Sequence, residues 1–272
     1  MIKYTLVCTT LLIGQVGFSQ QTKEYPEAIE DNSYLIEEAY NQEQRVVQHI
    51  SNGYLKTKPD NAFVYSFTQE WPVTSVRHQL SYTVPYTFLN ADFVNGIGDI
   101  MINYRYQLFY KESWACVAPR LSFILPTGNK QNGTGMNTLG YQLNLPVSKR
   151  ISDHWVAHFN AGTTFYPNVK TKTFAGNEIK KNLSFYTIGS SIIWLTGTKF
   201  NIMFECLENL SSVIDLNGNI IHSNETILNP GLRAAIDIKN LQIVPGISFP
   251  ISIIKDYRDT AVFIYLSFEH PF

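Results

Sequence analysis

The stretch Thr260 to Phe272, TAVFIYLSFEHPF, constrains the fold more than any other. Read backwards, every second residue runs Phe272, His270, Phe268, Leu266, Ile264, Val262. The intervening set is Pro271, Glu269, Ser267, Tyr265, Phe263, Ala261. A period of two with one almost wholly apolar face is the pattern of a β-strand. The chain stops on that apolar face, where terminal residues of soluble domains are commonly frayed and polar. The pattern points to a strand that closes a barrel whose outer wall meets lipid. The alternative is a half-buried terminal strand of a soluble β protein.

The same rhythm recurs upstream. From Ala62 onward, alternating segments are separated by turn residues. In Thr74 to Tyr86, Val76, His78, Leu80, Tyr82 and Val84 share one face, and Arg77, Gln79, Ser81 and Thr83 the other. In Gly98 to Phe109, Ile100, Ile102, Tyr104 and Tyr106 oppose Asp99, Asn103, Arg105 and Gln107. Further segments follow through Trp114–Leu125, Thr138–Arg150, His154–Tyr166, Asn182–Leu195, Lys199–Leu207, Thr226–Ile236 and Leu241–Ile251. The tally is about twelve strands if Arg45–Leu55 is one of them, with a range of 10–14.

Strand length decides between sandwich and barrel. Segments of roughly ten to twelve residues suit a tilted membrane span and exceed the ~5–6 typical of globular strands. Tight connections (Trp71–Thr74, Arg150–His154, Leu195–Lys199) alternate with long ones (Asn90–Gly98, Pro126–Asn137, Pro167–Lys181, Leu210–Glu225). Outer-membrane barrels have short turns at one end, long loops at the other and aromatic girdles between. The terminal segment also resembles the last strand of bacterial outer-membrane barrels, apart from His270. The expected fold is all-β: a single transmembrane antiparallel barrel over residues 45–272, in the outer membrane of a Gram-negative cell.

The start of the chain, MIKYTLVCTTLLIGQVGFSQ, has Lys3, then an apolar run, then Ser19-Gln20. It reads as a signal peptide over residues 1–20. Residues 21–44 read as a periplasmic segment with a short helix capped by Ser33. Cys116 and Cys206 fall on opposite strand faces, so no disulfide is expected. Lys+Arg 21 against Asp+Glu 22 gives no basic footprint for nucleic acid.

Charged residues on membrane strands must face inward, because the lipid face penalises Arg or Lys by ~2–4 kcal/mol at mid-bilayer. The register therefore places Arg77, Asn103, Arg105, Gln107, Arg120, Glu205 and Arg233 along a lumen, where they would contact solute. Arg77, Arg105 and Arg120 are the candidate electrostatic filter. The bland alternative is that the arginines pair with Asp99, Glu205 and Glu269 and fill a narrow barrel. About twelve strands gives a width between filled eight-stranded barrels and open porins. The lumen is then a narrow channel, or one blocked by the N-terminal segment.

No G-x-S-x-G, H-x-x-H, H-E-x-x-H or C-x-x-C motif occurs, so no catalytic residue, metal or cofactor is expected. A lipid hydrolase with His78 beside Ser75 and Ser81 is the enzymatic alternative. Partners are expected to be membrane lipid and lipopolysaccharide, the outer-membrane assembly machinery through the strand ending at Phe272, and small solutes. Lys170, Lys172, Lys180 and Lys181 are the candidate contacts for lipopolysaccharide, the alternative being that they simply solvate a loop.

Three fragments carry a family resemblance: GIGDIMINYRYQL (Gly96–Leu108), LPTGN (Leu125–Asn129) with Gly133 and Gly135 beyond it, and LPVSKRISDHW (Leu145–Trp155). Their order and spacing resemble the MetA-pathway phenol-degradation family. The resemblance covers Arg77 to Tyr166 and leaves the segment before Ala62 unexplained. It implies an outer-membrane, transporter-like barrel linked to uptake of hydrophobic or aromatic compounds. Passive uptake of small solutes is the expected function, with a structural or surface-binding barrel as the alternative.

Overall fold

A computed structural model describes residues 29–30, 33–56, 62–89, 95–110, 113–255 and 257–272. The expected signal peptide lies outside the described residues. The described residues form a closed antiparallel barrel of twelve strands, and none of them is helical.

The strands are β1 (Val46–Lys56), β2 (Ala62–Val73), β3 (Ser75–Leu89) and β4 (Gly96–Ile97, then Ile100–Tyr106). Next come β5 (Cys116–Val117, then Arg120–Leu125), β6 (Gly140–Ser152), β7 (Trp155–Lys172) and β8 (Glu178–Leu195). The wall is completed by β9 (Phe200–Ile214), β10 (Ile220–Ala234 with Ile236–Ile238), β11 (Leu241–Ser248, then Ile251–Ile254) and β12 (Tyr257–Pro271). Each strand pairs with its sequence neighbour. The sheet closes where β1 meets β12, from Val46↔Pro271 to Lys56↔Ala261. The expected strand at Arg45–Leu55 is therefore the first stave.

The period-two faces sort as the sequence reading expected. On β12, Ala261, Phe263, Tyr265 and Ser267 are buried inside, while Ile264 and Phe272 are exposed outside. Gln79, Asn103, Arg105, His158, Glu205 and Arg233 are buried in the interior. Ile102, Leu143, Ile188, Ile202 and Leu232 are exposed on the wall, and Trp155 stacks on Trp194 at 6.1 Å near the short-turn end. Polar inside and apolar outside is the inverse of a water-soluble protein, and water would not tolerate so continuous an apolar belt. Neither Cys116 nor Cys206 is in a disulfide.

Two expectations are corrected. Pro167–Lys181 and Leu210–Glu225 are not long loops: β7 and β8 continue for 18 residues each, and β9 and β10 extend to Ile214 and from Ile220. Asn168 (φ 52) and a register shift between Lys181 and Leu183 bulge the first hairpin and let its pairing resume. In the second hairpin, Asp215 Oδ1 accepts the backbone N–H of Asn217 and Asn219 and fixes a tight turn. At ~3.3 Å per residue an 18-residue strand runs to about 60 Å, so the β7–β8 hairpin projects well beyond a ~30 Å hydrocarbon layer.

The second correction concerns residues 21–44. The short helix expected at Ser33 does not form, and residues 33–45 lie inside the barrel. Their backbone N–H groups find acceptors on the wall, one by one, instead of on one another.

Candidate functional site

The interior is occupied by a tongue, residues 29–30 and 33–45, that leads directly into β1 through Arg45 (φ 62). Glu205 on β9 is its central anchor. One carboxylate oxygen accepts from Tyr34 N at 2.9 Å, the other from Leu35 N at 3.0 Å, and Ile36 N lies at 3.3 Å. Asn229 Nδ2 donates to the same carboxylate at 2.7 Å. Successive N–H groups aimed at one anion form a nest, here filled by the protein's own carboxylate.

Beyond it the wall continues to serve the tongue's backbone. Glu37 N donates to Asn160 Oδ1 (2.8 Å), Ala39 N to Ser148 Oγ (2.7 Å), Asn41 N to Gln107 Oε1 (2.9 Å) and Gln42 N to Gln79 Oε1 (2.7 Å). In return, tongue carbonyls accept from the wall. Arg105 donates to Glu38 O and Tyr40 O, Gln107 to Ala39 O, and Arg233 to Ile29 O. His158 Nε2 lies 3.1 Å from Glu30 O, which can only accept, so that nitrogen carries the proton. Its Nδ1 is left to accept from Ser148, at 2.7 Å.

Side chains lock the polar half. Glu37 Oε2 accepts from Arg120 Nε at 2.8 Å and from Asn144 Nδ2 at 2.6 Å, and Oε1 faces Arg105 Nη1 at 3.3 Å. Burial acts to raise the Glu37 carboxyl, but Arg120, Arg105 and the Asn144 amide outweigh it and hold it below the usual carboxylate range. Arg105 also faces Glu70 at 3.6 Å and Glu38 at 3.9 Å.

The other half is apolar. Tyr34 packs against Phe263 (ring centroids 5.5 Å) and Tyr265 (5.7 Å), and its hydroxyl donates to Leu232 O. Its ring fills a slot over Gly231 and Gly246, where any added Cβ would strike it. Ile36 packs with Leu207 and Ile227. Tyr34 and Ile36 thus pack their side chains on β8–β12 and Glu37 bonds to β4–β6, while Ala39 and Tyr40 pack on Cys116 and Ala118.

Two cavities flank the tongue and share no lining residue. One of about 630 Å³ lies at the short-turn end, bounded by Ile29, Glu30 and Tyr40–Glu43 with Asp237 and Glu269. The other, of about 490 Å³, lies on the far side, floored by Ser33–Glu38 and walled by Thr68, Asn103, Gln142 and Asn209 among others.

The candidate lumen residues divide. Arg105, Arg120 and Asn103 come together: Arg120 Nη1 donates to Asn103 Oδ1 and Nη2 to Gln142 Oε1. Gln107, Glu205 and Arg233 hold the tongue. Arg77 joins none of them; its guanidinium lies 4.8 Å over the Tyr110 ring, exposed near the short-turn end. Nor do Arg105 and Arg120 pair with Asp99, Glu205 or Glu269; their acidic partners are Glu37, Glu38 and Glu70. Asp99 instead clamps the loop after β5, accepting from Gly128 N (2.9 Å) and Met136 N (2.8 Å). His78 Nδ1 bonds Tyr104 OH at 2.6 Å on the outer face, not Ser75 or Ser81.

Sequence reading missed Glu37, Glu70 and the slot for Tyr34. Gly231 and Gly246, both interior to strands, were the available signal of a close approach.

No family model matches the chain, and no curated protein matches it. Among solved structures, the COG4313 outer membrane channel from Pseudomonas putida F1 superposes with TM-score 0.66 at 10% identity, covering 86% of this chain and 98% of that one. The NanC porin superposes with TM-score 0.53 at 7% identity, covering 82% of this chain and 100% of that one. At such identities the likeness is one of fold: this chain has the closed barrel architecture of outer-membrane channels.

Proposed function

We propose that the chain is an outer-membrane channel for passive entry of small solutes, held shut in this state by its own N-terminal tongue. The observation that carries the reading is the polar lumen of a lipid-facing barrel, divided into two cavities by residues 33–45. A barrel meant only as a scaffold has no need of a polar interior whose bonds end on a removable segment. A structural or surface-binding barrel remains the second reading, favoured by the number of bonds that hold the tongue.

In this reading Arg105 and Arg120 filter solutes only once Glu37 has left them, and Arg77 stands apart at the rim. The signal peptide, the outer-membrane address, contact with lipopolysaccharide and insertion by the assembly machinery through Phe272 belong to the same proposal. No reaction is part of it.

The test is solute flux into liposomes carrying the mature protein, its folding checked by heat-modifiable gel mobility. The intact chain should pass little, and a variant lacking residues 33–44 should pass small solutes readily. A folded, tongue-less barrel without flux would sink the channel reading.

A further inference from the structure

The far-side cavity has two chemically different walls. One is apolar, with Ile50, Leu207, Ile227 and Tyr265 beside Leu35 and Ile36 of the tongue. The other is built of hydroxyls and amides that bond in pairs: Thr68 with Thr83 (2.8 Å), Gln142 with Thr164 (2.9 Å) and Thr187 with Asn209 (3.1 Å). Each pair uses part of its capacity. Thr164 Oγ accepts from Gln142 and keeps its own proton to give. Asn209 accepts through Oδ1 and keeps its amino group. Asn52, which also lines the cavity, has a buried Oδ1 with no donor among the described residues.

Charge is present but spent. Arg120 directs Nε to Glu37, Nη1 to Asn103 and Ser122, and Nη2 to Gln142. Arg105 is shared among Glu37, Glu38 and Glu70. An anion entering here finds no guanidinium free of a carboxylate, and a cation finds every facing carboxylate already beside an arginine. An apolar solute would strand the amide and hydroxyl wall without partners, a loss of ~1–3 kcal/mol per group.

We infer that this cavity is a binding site for a small uncharged polyhydroxyl compound, a neutral sugar or polyol, with one ring face on the apolar wall and its hydroxyl rim on the amides and threonines. About 490 Å³ lies within the ~300–1,000 Å³ of small-molecule pockets. The inference rests on the channel reading only for the route of entry; the site itself stands on the closed state. It also turns the substrate class away from the aromatic compounds that the family resemblance implies.

The experiment is calorimetric titration of the folded, full mature chain in detergent with maltose, glucuronate and benzoate. Saturable maltose binding is expected, at least tenfold tighter than either acid. The double variant T164V/N209L should weaken it about tenfold while heat-modifiable mobility stays unchanged. Tighter binding of benzoate or glucuronate, no saturable maltose binding, or an unchanged affinity in a folded T164V/N209L would overturn the inference. Flux measured separately in liposomes keeps the two claims apart. Maltose binding without flux from the tongue-less barrel would remove the channel and leave the site. Flux that ignores solute type, with no binding, would do the reverse.

Discussion

Glu37 Oε2 lies 2.8 Å from Arg120 Nε, while Glu37 Oε1 lies 3.3 Å from Arg105 Nη1. One tongue carboxylate therefore sits between the two guanidiniums that would otherwise face solute. Removing one member of a fully buried pair costs about 3–5 kcal/mol, chiefly through the charge left behind, and Glu37 and Arg120, both partly exposed, should lose less. Glu37→Ala should loosen the tongue and take from Arg120 its carboxylate partner, while Arg105 keeps Glu38 and Glu70. The expected outcome in planar bilayers is a higher conductance with a reversal potential shifted toward anion selectivity. Adding Arg105→Gln and Arg120→Gln to the same variant should reverse the shift.

The same carboxylate sets a pH dependence. Glu37 is held below the ordinary carboxylate range when the tongue is docked, facing Arg105, Arg120, Asn144 and the neighbouring Glu38. Its contribution is fully present above the free-glutamate pKa and fades as pH falls through the docked value. Loss of the Glu37 contribution should raise conductance as pH falls below about 4.5. Glu37→Gln should remove that component of the acid-induced rise.

Tyr34 depends on the absence of two side chains. Gly231→Val or Gly246→Val would fill the slot its ring occupies. Gly246→Val should expel the ring without breaking the barrel, since the atoms nearest an added Cβ there all belong to Tyr34; Gly231→Val should expel it and also press on Ser248 Cβ of the neighbouring strand. Tyr34→Ala should cost about 3–5 kcal/mol of tongue docking by loss of a buried aromatic. Limited proteolysis checks all three variants. Cleavage near residues 33–45 should appear at protease levels that leave the parent uncut.

The glycine-bracketed motif has a separate account. Asp99 accepts two loop N–H groups, while Thr127 Oγ1 donates to Gly98 O and accepts from Ile100 N. Asp99→Ala should free the loop between Leu125 and Gly140 and raise its amide exchange, with about 1–3 kcal/mol lost. Strand pairing and heat-modifiable mobility should not change.

Much of the barrel was legible because alternation is local. One residue in two on β3, β4, β6 and β12 declares its face, and the register follows from the tight turns at Thr74 and Ser152–Trp155. The same rule turned Asn103, Arg105, Gln107 and Glu205 inward, where they are buried, while Arg77, expected beside them, is exposed at the rim. What they bind was not legible. Tyr34 and Glu205 are 171 positions apart, and nothing near Ser33 distinguishes a capped helix from bends whose N–H groups end on a distant carboxylate. Helix signals describe the chain's own bonding options, and here the wall offered better ones. The hairpins after Pro167 and Leu210 were lost for a similar reason. The first is rich in Lys and Thr and the second in Ser and Asn, so both look like loops, yet cross-strand pairing extends through them.

Both limbs of the tongue border the cavity at the short-turn end, and only its bend, Ser33–Glu38, borders the far one. The segment therefore enters and leaves the barrel by the same mouth. A bight of chain pushed in this way can be pulled out without any free end passing through the pore. Opening is then a fold-back about Arg45. Its rate should be set by local bond rupture and should not depend on how much chain must be reeled through.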